Sequence, residues 1–121
     1  GFKAAQITIS AIRGEVASYC YPISITSAPT EALNQDKVSM GTISARKWDE
    51  QIGLVFLQFA VHLLAAMQAV DLAGLNDFAP FTQKVHEEVR KLSDFVEDDR
   101  ELDKDAERVA AWLKVTPLFA S

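Results

Sequence analysis

The sequence predicts an all-α fold, a segment of a long-helix bundle. Three observations predict it. Apolar residues recur at helical steps along four separate stretches. The breaks between those stretches hold Pro22, Pro29, Gly74, Pro80 and Pro117, residue types that start or stop helices. No stretch alternates convincingly between apolar and polar, and only Tyr21 to Thr26 has weak extended character.

The first helix is expected from residue 2 to about residue 20, with Ala5, Ile9, Ile12, Val16 and Tyr19 on one face. Gly14 weakens it slightly. Residues 21 to 33 read as loop: Pro22 and Pro29 restrict the backbone, and Ser24, Thr26, Ser27 and Thr30 favour turns and caps. A long helix is expected from about Asp36 to Leu72, apolar on nearly every side between Ile52 and Val70. Such a helix is either buried among neighbours or spans a membrane. Gln51, Gln58, His62 and Gln68 interrupt the continuous apolar run that a bilayer requires, so burial is the reading. His62 is then expected to be a hydrogen-bonded core residue. A chain of 121 residues cannot easily surround such a helix by itself, which implies oligomerisation or further segments.

A turn is expected at residues 73–77, with Gly74 suited to cap the long helix. Pro80 fits the first turn of a third helix running to about Phe95, with Phe81, Val85, Val89 and Leu92 on one face. Glu97, Asp98 and Asp99 form an acidic loop. Asp103 is expected to cap a last helix that turns Ala106, Val109, Ala110 and Leu113 inward and ends before Pro117.

Composition narrows the function classes. The net charge of −5 comes without a basic stripe or tail, which argues against nucleic acid as a partner. The acidic excess lies mostly after Asp71 and is mixed with Lys and Arg at helical spacing, as on a solvated face. Cys20 is the only cysteine, so no internal disulfide can form and a reducing, cytoplasmic compartment fits. Neither His62 nor His86 is near Cys20 in sequence, and the thiol reads as a spectator. No second His or Cys stands at ligand spacing from His62, and no metal site is expected. The first residues lack the apolar core and cleavage pattern of a signal peptide. Helix-like sequence is already under way at Phe2 without a starting methionine, and a segment of a longer polypeptide is expected.

The candidate site is Glu31, Asn34 and Gln35, just before the long helix. Glu31 could accept a proton or bind an ammonium group. Asn34 and Gln35 can each donate and accept hydrogen bonds. These groups suit a zwitterionic amino acid and a departing amine. Taken alone the cluster is weak evidence, because polar residues ahead of a helix usually serve as caps and solvent contacts.

The run Asn34-Gln35-Asp36-Lys37-Val38-Ser39-Met40-Gly41, followed by Thr42-Ile43-Ser44-Ala45-Arg46, gives the cluster a context. It resembles the start of the active-site helix in the aromatic amino acid lyases, which comprise the histidine, phenylalanine and tyrosine ammonia-lyases and their aminomutase relatives. Further similar segments follow in order. They are Gly1 to Gln6, the proline-bearing loop 22–30, the run from His62 to Leu72, and the acidic Phe95-Val96-Glu97-Asp98-Asp99-Arg100. Several matches in order outweigh any single motif.

The resemblance implies a large, tetrameric, helical enzyme with a central bundle of long helices, of which this chain is a C-terminal segment. It implies removal of ammonia from a small L-amino acid to leave an unsaturated acid. The cofactor is methylidene-imidazolone, cyclised from an internal Ala-Ser-Gly. By position, Gln35 would border that cofactor and the substrate amine, Asn34 would stand beside it, and Glu31 would lie near the substrate's amino group. The histidine enzymes tend to carry Glu where this chain has Gln35, which tilts the reading towards an aromatic substrate. This chain contains no Ala-Ser-Gly, because Ala17-Ser18 is followed by Tyr19 and Ala120-Ser121 ends the sequence. The chain alone is therefore expected to be inactive. Arg46 reads as a helix-face residue rather than a carboxylate clamp. An aminomutase and a non-catalytic helical oligomerisation module are the alternatives.

Overall fold

A computed structural model describes residues 2–74 and 78–119. Four helices follow one another: α1 (Lys3–Ser18), α2 (Gly41–Ala73), α3 (Pro80–Arg90) and α4 (Asp103–Val115). Short 3-10 turns lie at Ile23–Thr26, where weak extended character was expected, and at Pro117–Phe119. Among the described residues there is no strand, only an isolated antiparallel bridge between Thr30 and Gln35.

α2 is the axis of the fold. Its 33 residues reach about 50 Å at a rise of 1.5 Å each. α1 runs back along its first half: Gln51 donates to the Val16 carbonyl at 3.1 Å, and Phe2, Ala5 and Ile9 reach the core beside α2's second half. Ile12 is buried, and Ala5, Ile9, Val16 and Tyr19 are half-buried while the rest of α1 beyond Phe2 is exposed, so the inward face is the one the apolar spacing predicts. α4 also runs back along α2. Gln68 clasps Val96, ahead of α4, through both backbone groups at 2.9 and 3.0 Å, and Lys114, near α4's end, lies 5.7 Å from the centre of the Phe56 ring.

The core is where α2, α3 and α4 converge. Leu64, Met67 and Val70 meet Val85 and Val89 of α3 and Ala106, Val109 and Ala110 of α4. Val89 and Val109 are wholly enclosed. Phe119 stacks edge-on against both Phe81 and Trp112, closing one end of the cluster with apolar area that also favours this edge-to-face geometry.

Two ionic clusters stitch the helices. Asp71, on α2, binds His86 at 2.5 Å through one oxygen and Arg90 at 2.5 Å through the other, both from α3. Burial pushes the Asp71 carboxyl up, but the hydrogen bonds from Arg90 and His86 outweigh it and hold the group below the ordinary 3.8. Asp105, on α4, is buried with Ser93 donating at 2.6 Å, Arg100 at 2.7 Å, and Arg108 on its other oxygen. Burial again raises this carboxyl, but the Ser93 and Arg100 hydrogen bonds and the two guanidinium charges outweigh it and hold the group below 3.8. The acidic half of the chain is therefore not wholly a solvated face.

Several boundaries differ from the sequence reading. α2 begins at Gly41 rather than Asp36, because residues 35–40 are held in a loop described below. α3 ends at Arg90 rather than near Phe95. The Leu92 and Ser93 N–H groups both turn back to the Val89 carbonyl, and Arg90 donates to the Ser93 carbonyl at 3.0 Å. Asp103 is not a cap; Leu102 occupies that position without a side-chain bond, and Asp103 opens the helix, where a carboxylate favours the dipole. His62 is exposed rather than a core residue, while His86 is the buried histidine. Gly74 does cap α2, with φ 98° and its N–H on the Val70 carbonyl at 3.0 Å. Of the expected turn at 73–77, residues Leu75, Asn76 and Asp77 lie outside the described residues.

Candidate active site

Three consecutive residues, Glu31, Ala32 and Leu33, take left-handed backbone conformations, with φ of 53°, 53° and 70°. None is glycine, so each carries a steric cost of roughly 1–2 kcal/mol. Backbone bonds hold the turn closed. Thr30 and Gln35 exchange N–H to carbonyl bonds at 3.0 and 3.2 Å, and the Asn34 N–H donates to the Glu31 carbonyl at 3.0 Å. Strain of this kind persists where surrounding structure overdetermines it, and it gathers at functional sites.

The turn brings the predicted residues together. The Asn34 side-chain amide donates to the Glu31 carboxylate at 3.4 Å, and Gln35 follows directly. All three side chains are exposed. Among the described residues the Gln35 side chain makes no hydrogen bond.

The loop from Asp36 to Met40 carries this platform to α2. Val38 donates its N–H to the Ser27 hydroxyl at 2.9 Å, which ties the loop to the segment after the 3-10 turn. Met40 stands at the helix start with φ 56°, also left-handed. Its carbonyl accepts the Ser44 N–H at 3.1 Å, and the Ser39 hydroxyl accepts the Gly41 N–H at 3.3 Å. Lys47 then reaches the Tyr21 carbonyl at 2.8 Å and fixes the preceding segment on α2. Ser27, Ser39 and Lys47 thus position the turn, a role the sequence reading did not give them. Their serine and lysine types carry no signal until the fold brings their partners near.

The site is open. A cavity of about 500 Å³ lies between α1, α2 and the approach to α4, lined by Phe2, Leu57, Leu64, Arg100 and Ala106, and none of Glu31, Asn34 or Gln35 borders it. Its lining is mostly apolar, with Thr8, Asp99, Arg100, Asp103 and Glu107 also on it. The polar turn that carries Glu31, Asn34 and Gln35 is exposed, away from that cavity. Among the described residues no group of three His, Cys, Asp or Glu could hold a metal ion. Exposed amides and one carboxylate suit a neutral or carbonyl-bearing electrophile and an ammonium group.

The family profile for aromatic amino acid lyases matches residues 1–91, and the chain belongs to that family. It is 38% identical over 114 residues to a histidine ammonia-lyase of Halalkalibacterium halodurans, a match covering 94% of this chain and 22% of that protein. Among solved structures it superposes on the phenylalanine aminomutase of Pantoea agglomerans with a TM-score of 0.91 at 30% identity, over 96% of this chain and 23% of that one. It superposes on histidine ammonia-lyase from Trypanosoma cruzi with a TM-score of 0.87 at 36% identity, over 94% and 23%. The chain thus spans less than a quarter of the length of the relatives it matches.

Proposed function

We propose that this chain is part of an ammonia-lyase and supplies one wall of its active site. The reaction breaks the bond from Cα to nitrogen of an L-amino acid, removes a proton from the neighbouring carbon, and leaves an unsaturated acid and ammonia. The observation that carries the reading is the strained turn, which holds Glu31, Asn34 and Gln35 together on an exposed surface in a chain of this family.

Gln35 is assigned to hold the substrate amine and border the cofactor, with Asn34 beside it. Glu31 is assigned to stabilise the ammonium as it leaves, by its negative charge. The methylidene-imidazolone cofactor supplies the electrophile that makes the amine a leaving group. With no Ala-Ser-Gly in this sequence, it comes from outside the chain, and the chain alone is inactive. The partners are the remainder of a longer polypeptide and further copies in a homotetramer, in the cytoplasm, with no metal, nucleic acid or membrane involved.

Aminomutase activity is the second reading, favoured by the likeness to the phenylalanine aminomutase. It differs in re-adding the ammonia at the neighbouring carbon, which depends on how long the unsaturated acid stays bound.

Ultraviolet absorbance of the full-length protein with histidine, phenylalanine and tyrosine in turn tests the proposal. Each product is a conjugated acid with its own band. Growth with phenylalanine or tyrosine supports a lyase with the aromatic preference that Gln35 suggests. Growth with histidine alone keeps the lyase and removes that preference. Silence with all three, together with a β-amino acid product by chromatography, replaces the lyase with an aminomutase. No turnover of any kind removes the enzyme reading.

A further inference from the structure

The site turn stands at the tip of a hairpin-like loop. Residues 28–37 are all exposed, whereas Ser27 and Val38, at the feet of the loop, are half-buried. Thr30 and Gln35 form the upper rung, exchanging backbone bonds at 3.0 and 3.2 Å. In an antiparallel pair the next backbone rung falls two residues down each limb, here at Ala28 and Lys37. Among the described residues that rung is not formed. Pro29 lies between, and its ring holds φ at about −65°, far from the roughly −140° of an antiparallel strand. One residue further down, the Ser27 hydroxyl accepts the Val38 N–H at 2.9 Å. Ser27 and Val38 keep the register of Thr30 and Gln35, three residues below them on either limb. A half-buried N–H needs an acceptor, and among the described residues the Val38 N–H finds none on the backbone. A side chain thus supplies the lower rung that the backbone does not.

We infer that Ser27 is a positioning residue of the proposed reaction, its hydroxyl holding the limb that carries Gln35 so that the Gln35 amide meets the substrate in one orientation. This rests on the site reading above and adds what aims Gln35. Gln35 stands three residues from Val38, roughly 10 Å of extended chain. With the upper rung alone, the limbs would splay at their feet and swing about Thr30 and Gln35. The left-handed residues Glu31, Ala32 and Leu33 add a push, since opening the loop would relieve their steric cost. The Ser27 bond opposes that opening. Ser27 itself is held to the body of the fold. It directly follows the 3-10 turn Ile23–Thr26, and Lys47 of α2 fixes the approach to that turn at the Tyr21 carbonyl. Val38 in turn leads through Met40 into α2. Both feet are therefore referred to α2, and the tip takes its place from them. A displacement of about 1 Å at a reacting group can cost roughly a hundredfold in rate.

Kinetics of the full-length protein test this, on whichever amino acid it turns over. Ser27→Ala removes the acceptor, and Ser27→Thr keeps it. Thr26→Val removes the neighbouring hydroxyl, which donates within the 3-10 turn to the Ile23 carbonyl at 2.7 Å. Ser27→Ala is expected to lower kcat about tenfold, the scale of a displacement smaller than 1 Å. Ser27→Thr and Thr26→Val are expected to keep kcat within about twofold of the parent, because the bond to Val38 survives in both. Gln35→Ala supplies the discriminating background. Ser27 acts through Gln35, so Ser27→Ala is expected to lower kcat there by less than about twofold more, the non-additivity of coupled residues. A role in folding alone would cost the same in both backgrounds. If Ser27→Ala does not fold, Ser27→Cys, whose sulfur is a weak acceptor in the same place, carries the same comparison. Equal losses in the two backgrounds overturn the inference and leave the site reading in place. So does a loss in Ser27→Thr as large as in Ser27→Ala, or undiminished turnover in Ser27→Ala. Full turnover in Gln35→Ala, or none in the parent, removes the site reading and this role together.

Discussion

Asp71 of α2 and His86 of α3 meet at 2.5 Å, and Arg90, one turn beyond His86, closes on the other carboxylate oxygen at the same distance. This link joins two helices that also meet through Val85 and Val89 in the shared core. Asp71→Ala would strand a histidine and a guanidinium that are largely buried. Removing one partner of a fully buried pair costs about 3–5 kcal/mol. The Asp71 side chain keeps 21% exposure, so water offsets part of that loss. A loss of about 2 kcal/mol is expected, measured as a lower denaturation midpoint. A change under about 0.5 kcal/mol, typical of a surface site, would show that apolar packing alone places α3.

The same carboxyl, with Asp105, sets an acid limit. Both are held below 3.8 in the folded chain and return towards that value on unfolding. Their contribution is complete above 3.8. As pH falls past that value the unfolded chain takes up protons first, and stability is lost until the depressed folded values are passed. Melting temperature is therefore expected to fall below about pH 4, and Asp71→Asn should flatten part of that slope. A profile unchanged in the variant would assign the acid sensitivity to other groups.

The strained turn yields a prediction of opposite sign for stability and activity. Ala32 holds φ 53° with a Cβ that disfavours it. Ala32→Gly removes that steric cost but frees the unfolded chain, and a net gain of up to about 1 kcal/mol is expected. The same freedom loosens the aim of Asn34 and Gln35, so turnover of the full-length protein should drop. A rise in stability with turnover intact would show that the turn's rigidity serves folding only.

Much of the fold was legible because helix faces are written in spacing. Ile12, Val85, Val89, Ala106, Val109 and Ala110 are all buried where the apolar rhythm places them. The start of α2 was not legible, since it is set by Ser27, eleven residues before Val38, and by left-handed backbone at residues that propensity does not mark. The end of α3 depends on Arg90 turning to Ser93 and Asp71, a tertiary effect. His62 was read as core because α2 is apolar all round, yet only one side of it meets α1, α3 and α4. The grouping of Glu31, Asn34 and Gln35 was legible from the motif. Their exposure, and the three left-handed residues that present them, required the structure.

The measurement that bears most directly on the site is Gln35→Ala in the full-length protein, scored for both turnover and thermal unfolding. Gln35 is exposed and its side chain makes no hydrogen bond among the described residues, so removing it should leave stability within about 0.5 kcal/mol. Turnover should fall by about a hundredfold or more, the scale of a lost transition-state hydrogen bond. Loss of stability in proportion to activity, or full turnover in the variant, would contradict the assignment of Gln35 to the active site.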